Sequence, residues 1–270
     1  MQLSNFAPYS RSMRSAEGIA WDETGHIEIK GGSTLHMIEL QTNITDSTLI
    51  KRVWLEIGGT PIVQFTGAQL AMLDAFKGLP SVAGKYVIPF SDLIYRSREG
   101  VTSGKLPTYA GEEIFLYIEL GSGVGAISVK GRYWMTDGER RVFTPKTYST
   151  TFDASTTGVN DLIWKNGNPS RRIRRIHFKS TNINKIKVFR DSRLIHEIEK
   201  TANVEDLARY GDLTSQAGYL HFDPTLFGFG WDGLFSTHGG ELKFELDMAA
   251  AESVPMLVEM LEQTALLNAE

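Results

Sequence analysis

Cysteine is absent from all 270 residues of this chain. That removes disulfides, thiolate metal sites and cysteine nucleophiles together. Long apolar runs are absent too: no stretch approaches the ~18 residues of a membrane span, and the N-terminus lacks the basic-then-apolar layout of a signal peptide. A soluble chain made in a cytoplasm is the expectation. Nor is there a large charge excess. Lys and Arg number 28 against 32 Asp and Glu, a net charge of −4, which gives no general drive toward nucleic acid or anionic lipid. Regular strand–helix alternation is also missing, which sets aside a parallel α/β sheet.

Recognisable catalytic motifs are equally scarce. Gly100 to Leu106 is one residue too short for a phosphate-binding loop, has Leu106 where Ser or Thr must hold magnesium, and is followed at once by Pro107. Gly121-Ser122-Gly123-Val124-Gly125 leads into the β-prone Ile127-Ser128-Val129, not into the helix a dinucleotide loop requires. His238-Gly239-Gly240 has no Gly-x-Ser-x-Gly elbow to serve. The six histidines fall at no metal-ligand spacing; His26 and Glu28 share a strand face without a third ligand. Catalytic and cofactor-binding residues are therefore set at none, and metal ligands are left unknown.

What the chain does contain is an echo. From Ile50 to Asp92, and again from Ile183 to Asp223, it runs strand, polar turn, strand, short helix, Gly-bearing loop, strand. Val53 and Leu55 correspond to Ile186 and Val188, and Gly58-Gly59 to the turn at Asp191-Ser192. Thr66 with Gln69 forms a capping-box pattern ahead of Leu70, Leu73 and Phe76; Asn203 with Asp206 is placed to cap a helix whose matching face is Val204, Leu207 and Tyr210. Gly111 to Leu120 matches Gly239 to Met248, and Ala126 to Tyr133 matches Val254 to Leu261. The last pairing predicts a strand within Glu252 to Leu267, where periodicity alone reads as a helix, with a helical or disordered tail. A unit of over a hundred residues has the size of a domain.

The expected organisation is a mobile N-terminal arm at 1–24, a first β domain at 25–155 and a second at 156–270. The boundary follows the turn signals between Thr136 and Ser170. Many short strands with single helices in long connections predict a mainly β fold of antiparallel sandwiches. One charge cluster stands out: Arg171, Arg172, Arg174 and Arg175. These are candidate inter-subunit, lipid or nucleic-acid contacts. The plainer reading is a strand with Ile176 and Phe178 inward and the arginines paired with acids of a neighbour.

In order, Val53 to Gly59, Gly84 to Phe90, Lys105 to Thr108 and Gly111 to Glu119, then Arg174 to Phe178, Tyr219 to Pro224 and Glu241 to Met248, carry a family likeness. The chain resembles the double jelly-roll major capsid proteins of tailless icosahedral bacteriophages, the corticovirus-like members of the adenovirus-hexon lineage. The resemblance implies two tandem eight-stranded antiparallel jelly-roll sandwiches. It implies a non-enzymatic homotrimer acting as a pseudo-hexagonal capsomer of an icosahedral virion shell. Implied partners are further trimers, a penton protein and an internal viral membrane, with no specific nucleic acid and no cofactor beyond a structural divalent cation. The arm would face inward or lock neighbours. A rival reading is a carbohydrate- or receptor-binding tandem jelly roll, a lectin or spike, using Trp21, Trp164 and Trp231, with Trp54 interior. A β-sandwich hydrolase with a carboxylate pair brought together by folding is a third.

Overall fold

The computed structural model describes residues 7–92, 101–165, 167–238 and 240–265. Its first barrel is built from β1 (Tyr9–Ser12), β2 (Thr24–Lys30), β3 (Ser33–Thr42), β4 (Ile50–Ile57), β5 (Thr60–Phe65), β6 (Lys85–Pro89), β8 (Glu113–Leu120) and β9 (Val129–Asp137), with the two-residue β7 (Leu106–Pro107) at one edge. The second uses β10 (Phe143–Ala154), β11 (Gly158–Ile163), β12 (Arg171–Phe178), β13 (Ile183–Arg190), β14 (Arg193–Glu199), β15 (Leu220–Phe222), β17 (Leu242–Met248) and β18 (Glu252–Gln263), with the two-residue β16 (Phe235–Ser236). The sheets of the first are β1-β9-β3-β6 and β2-β8-β4-β5; those of the second are β10-β18-β12-β15 and β11-β17-β13-β14. With β7 and β16 set aside, strands one to eight of each barrel fall in the same two orders, 1-8-3-6 and 2-7-4-5. All pairings are antiparallel. These are two jelly rolls in tandem.

Side-chain alternation closes each barrel. Ile114, Leu116, Ile118 and Leu120 of β8 point inward, as do Leu242, Phe244, Leu246 and Met248 of β17, all buried. Burying a Leu or Ile side chain contributes about 1.5–3 kcal/mol, so these inner faces hold the sandwiches shut. Even the irregularities are duplicated. A bulge interrupts β3 between Leu35 and Met37 and β12 between Ile173 and Arg175. Others fall between Ile50 and Arg52 in β4 and between Ile183 and Lys185 in β13. A third pair lies at Leu55/Glu56 and Val188/Phe189.

Two expectations on boundaries are corrected. Residues 9–12 are β1, paired with β9 from Tyr9↔Met135 to Ser12↔Arg132, and Glu17 bridges to His26. This part of the expected mobile arm is the first strand of the first barrel; residues 1–6 lie outside the described residues. Likewise β10 pairs along its whole length with β18. The division therefore runs between Asp137 and Phe143, ahead of the expected 155. The stretch after Glu252 is a strand, as the echo predicts; residues 266–270 are outside the described set.

The helices hold their expected places, and the second differs from expectation in its cap and in its buried face. Helix α1 (Gly67–Phe76) starts at Thr66, whose Oγ1 accepts from Gln69 N at 3.1 Å while Gln69 Oε1 accepts from Thr66 N at 2.9 Å. Helix α2 (Lys200–Gly211) starts after Glu199 with no side-chain cap. Asn203 is not a cap: it is buried within the helix and donates to the His221 carbonyl at 2.8 Å. Of the expected face, Leu207 is buried, while Val204 and Tyr210 are exposed. Trp54, expected inside, lies half-buried on the outer face of β4, stacked on Tyr117 at 5.1 Å with Arg52 over it.

Candidate functional site: the seam between the barrels

The sequence clusters chemistry at one place that no motif announces, the surface where the barrels meet. Strand β10 lies along β5: Gln64 N donates to Thr147 Oγ1 at 2.7 Å, Thr147 Oγ1 donates back to Gln64 O at 2.9 Å, and Lys146 reaches Pro61 O at 3.1 Å. Phe76, at the end of α1, crosses the seam. It packs edge-on against His177 at 5.2 Å and tilted against His221 at 4.4 Å, and its carbonyl accepts from Thr214 N at 2.7 Å. Leu207, Leu213, Leu226 and Leu257 of the second barrel join the first barrel's core.

Beneath Phe76 lies a buried ionic cluster. Asp92 of the first barrel receives Lys77 at 3.5 Å, Arg174 Nη2 at 3.2 Å and Arg175 Nη2 at 2.5 Å. Arg175 also binds Asp223 through Nε and faces Glu259 at 3.8 Å. Three cations thus meet three carboxylates, and each barrel's contribution is neutral by itself. Burial would raise the Asp92 carboxyl, yet Arg175, Lys77 and Arg174 hold it well below the carboxylate range. Glu259 is depressed against burial in the same way, by the His177 hydrogen bond and Arg175. Burial pushes the Lys77 ammonium down. A bulge turns both Arg174 and Arg175 toward the seam, and Gly104 gives Arg174 room: any side chain there would collide with its guanidinium and with the Phe90 carbonyl, which accepts from Arg174 Nη1 at 3.1 Å.

A directed hydrogen-bond chain continues from the ions. Gln216 N donates to His221 Nε2 at 3.3 Å, so the His221 proton sits on Nδ1. Nδ1 then donates to His177 Nδ1 at 2.7 Å, and His177 Nε2 donates to Glu259 at 2.8 Å. Burial, with His177 and Arg175 adding to it, lowers His221 to about 2, so it stays neutral. The arrangement links the buried His221, His177 and Glu259 side chains in one chain of hydrogen bonds. Removing one member would strand a buried charge, at a cost of roughly 3–5 kcal/mol.

The four candidate arginines therefore divide. Arg174 and Arg175 are buried in the single chain and present nothing to lipid, nucleic acid or another subunit; their acidic partners are the chain's own. The physical reason is topological, since the outer face of β12 is covered by α1. Arg171 remains at the surface, bound to Glu262 at 2.9 Å. Arg172 lines a cleft of about 480 Å³ with Lys105, Arg140, Phe143 and Trp231. The remaining motifs fold as connections. Lys105 pairs with Glu139, and Leu106-Pro107 is β7; Gly100 lies outside the described residues. Gly121 to Gly125 joins β8 to β9, and His238 and Gly240 lie between β16 and β17; Gly239 is not described. Among the described residues no three His, Asp or Glu side chains are grouped as metal ligands. His26 contacts Phe115 and Tyr117. The three candidate tryptophans form no common platform: Trp21 Nε1 donates to Gly125 O, Trp164 lies by Tyr148 and Phe244, and Trp231 packs on Phe143.

The same architecture recurs in solved capsid structures. The major capsid protein P2 from bacteriophage PM2 superposes with a TM-score of 0.84 at 15% identity, covering 97% of this chain and 99% of that one. A chain in the atomic structure of Sulfolobus Turreted Icosahedral Virus gives 0.63 at 14%, covering 96% and 91%. The PBCV-1 virus capsid gives 0.62 at 11%, covering 100% and 98%. No curated relative matches by sequence. The fold is that of a double jelly-roll capsid protein. Residues 10–135 match the family Viral coat protein P2 N-terminal domain and residues 144–264 match Viral coat protein P2 C-terminal domain. The chain belongs to the viral coat protein P2 family; it is a structural protein of the virion shell, and the lectin or spike reading is set aside.

Proposed function

We propose that three copies of the chain close into a ring of six barrels and that these rings tile an icosahedral shell. The observation that carries this is the strand-for-strand, bulge-for-bulge likeness of two barrels fixed side by side by a buried seam. Two similar units per chain let a threefold ring present six similar edges, the shape that packs hexagonally. Closed sandwiches leave few strand edges to pair indiscriminately at the concentrations inside a shell. The role is structural and not catalytic. Arg171 and Arg172, on the surface, serve contacts between neighbouring subunits. A vertex protein and an underlying membrane are the further partners of such a shell.

Sedimentation velocity with mass measurement tests the ring. A species at three times the chain's 30.1 kDa, forming hexagonal sheets or shells at higher concentration, is the expected result. A chain that remains single at every concentration would overturn it.

A further inference from the structure

The two sheets 1-8-3-6 are equivalent in register but not in burial. Aligning the bulges places Met37 of β3 on Arg175 of β12, and Glu39 on His177. Ladder pairing then places Val87 on His221, Pro89 on Asp223 and Trp134 on Glu259. In the second barrel every one of these outward-facing positions is buried beneath α1. In the first, Met37, Val87, Pro89 and Trp134 are only half-buried and line a cleft of about 380 Å³ whose wall also carries Asp74, Lys77, Asp92 and the buried Glu39.

The covering helix is also duplicated. Phe76 precedes Tyr86, and Tyr210 precedes Leu220, by the same spacing, and Tyr86 and Leu220 occupy equivalent ladder positions. Phe76 is 0% exposed because it sits on the second barrel; its counterpart Tyr210 is 39% exposed. Beside Tyr210 lie the ring of Phe227, 5.4 Å away and 52% exposed, and the Arg209 guanidinium, and Val204 is exposed earlier on the same helix. An apolar helix face and an apolar sheet face thus occur on one chain in the roles that α1 and the β12 sheet play within the chain.

We propose that α2 of one chain, through Val204 and Tyr210 with Phe227, covers the Met37–Val87–Pro89–Trp134 face of the first barrel of a second copy. This repeats the internal Phe76 contact between chains. The contact is heterologous, and repeated it generates a closed ring where the rotation permits. It rests on the ring proposed above and specifies which surfaces meet. It differs from the internal seam in chemistry: Met37, Pro89 and Trp134 replace Arg175, Asp223 and Glu259, so the contact between chains is mainly apolar, while Glu39, the counterpart of His177, is already paired with Lys85 and Arg132 of its own chain.

The absence of cysteine makes the test clean. In a Val87→Cys/Tyr210→Cys double variant, oxidation is expected to yield covalent species of two and three chains on a non-reducing gel. Three chains is the largest closed product, reductant dissolves it, and neither single variant gives it. Separately, Val204→Asp and Tyr210→Asp, both at exposed positions, are expected to weaken association at least tenfold while leaving the melting temperature of the dissociated chain unchanged. A trimer that forms normally in the Asp variants, or a double variant that gives no inter-chain cross-link while sedimenting as a trimer, overturns this contact and leaves the ring standing. A wild-type chain that never leaves 30.1 kDa overturns the ring and this contact together.

Discussion

The first barrel meets the second through its helix, and the second receives it on a sheet; the same sheet in the first barrel faces outward. Between these equivalent surfaces the strand order, register and bulges are shared, while the side chains differ in kind. Arg175, His177, His221, Asp223 and Glu259 form a closed polar network under Phe76. Met37, Val87, Pro89 and Trp134 form none, and Glu39, the counterpart of His177, pairs instead with Lys85 and Arg132 of its own sheet. The difference teaches that barrel architecture is set by inward-facing residues, whereas outward-facing ones are free to specialise for whatever covers them. A contact made once, within the chain, can be ionic and exacting, because its partners are delivered by the chain itself.

Substitution at one register position in both barrels should break this comparison most sharply. Arg175→Ala strands Asp223 and part of the Asp92 charge, and is expected to cost roughly 3–5 kcal/mol in urea unfolding. Met37→Ala, its counterpart on a half-exposed face, is expected to cost about 1 kcal/mol or less in the single chain. Equal losses would refute the distinction between the two faces.

Acidification tests the polar side of the comparison. Burial lowers His36 to about 4 and His221 to about 2, against 6.5 when unfolded. Below pH ~6.5 the unfolded chain binds protons that the folded chain refuses, so stability falls as pH falls. Asp74, raised by burial to about 6, acts in the opposite sense between pH ~4 and 6, with its share reduced by solvent screening. The net slope between pH 6 and 4 is expected to be roughly 1–3 kcal/mol per pH unit. His221→Gln should flatten it, His36→Gln should do so above pH ~4 only, and Asp74→Asn should steepen it. Chemical denaturation across that range reads all three; a slope that none of them changes would defeat the assignment. The carboxylates Asp92 and Glu259, depressed in the fold, add a further loss that begins near pH ~4 and continues below it.

The smallest expected effect lies at the hairpin turns. Gly58 and Gly59 both take positive φ, at 56° and 74°, and the second barrel asks the same of Asp191 and Ser192, at 50° and 64°. Gly59→Ser should lose about 1 kcal/mol and Ser192→Gly should gain no more than that, since left-handed backbone strains residues with a Cβ. Thermal melts would show opposite signs for the two swaps if the turns are true counterparts.

The echo of inner-face residues makes the two-barrel fold legible in the sequence, including the strand after Glu252. What stayed hidden was the first strand of each barrel, in both cases. Tyr9–Ser12 is short and exposed on both faces, and Phe143–Ala154 carries turn-like Thr144-Pro145 and much polar content. Neither shows the alternation that marks a half-buried strand, because their pairing is decided by distant partners. Arg174 and Arg175 were legible as charge but not as interior, since only the docking of α1 removes their water. The His177–His221 pair, 44 residues apart in sequence, has no local signal at all; the neighbouring positions on paired strands exist only once register is fixed. Tyr210 was correctly matched to Phe76 by spacing, and its exposure in the single chain is what gave that match a use.

The shared bulges also bear on ancestry. A bulge inserts a residue into one strand, and later loss or gain of another would flip every side chain beyond it to the wrong face. Selection therefore freezes the insertion while the residues around it drift. In this chain the halves have lost most of their letters in common, yet three interruptions remain at matching rungs. They mark the two barrels as built to one plan, rung for rung, where residue identity no longer does.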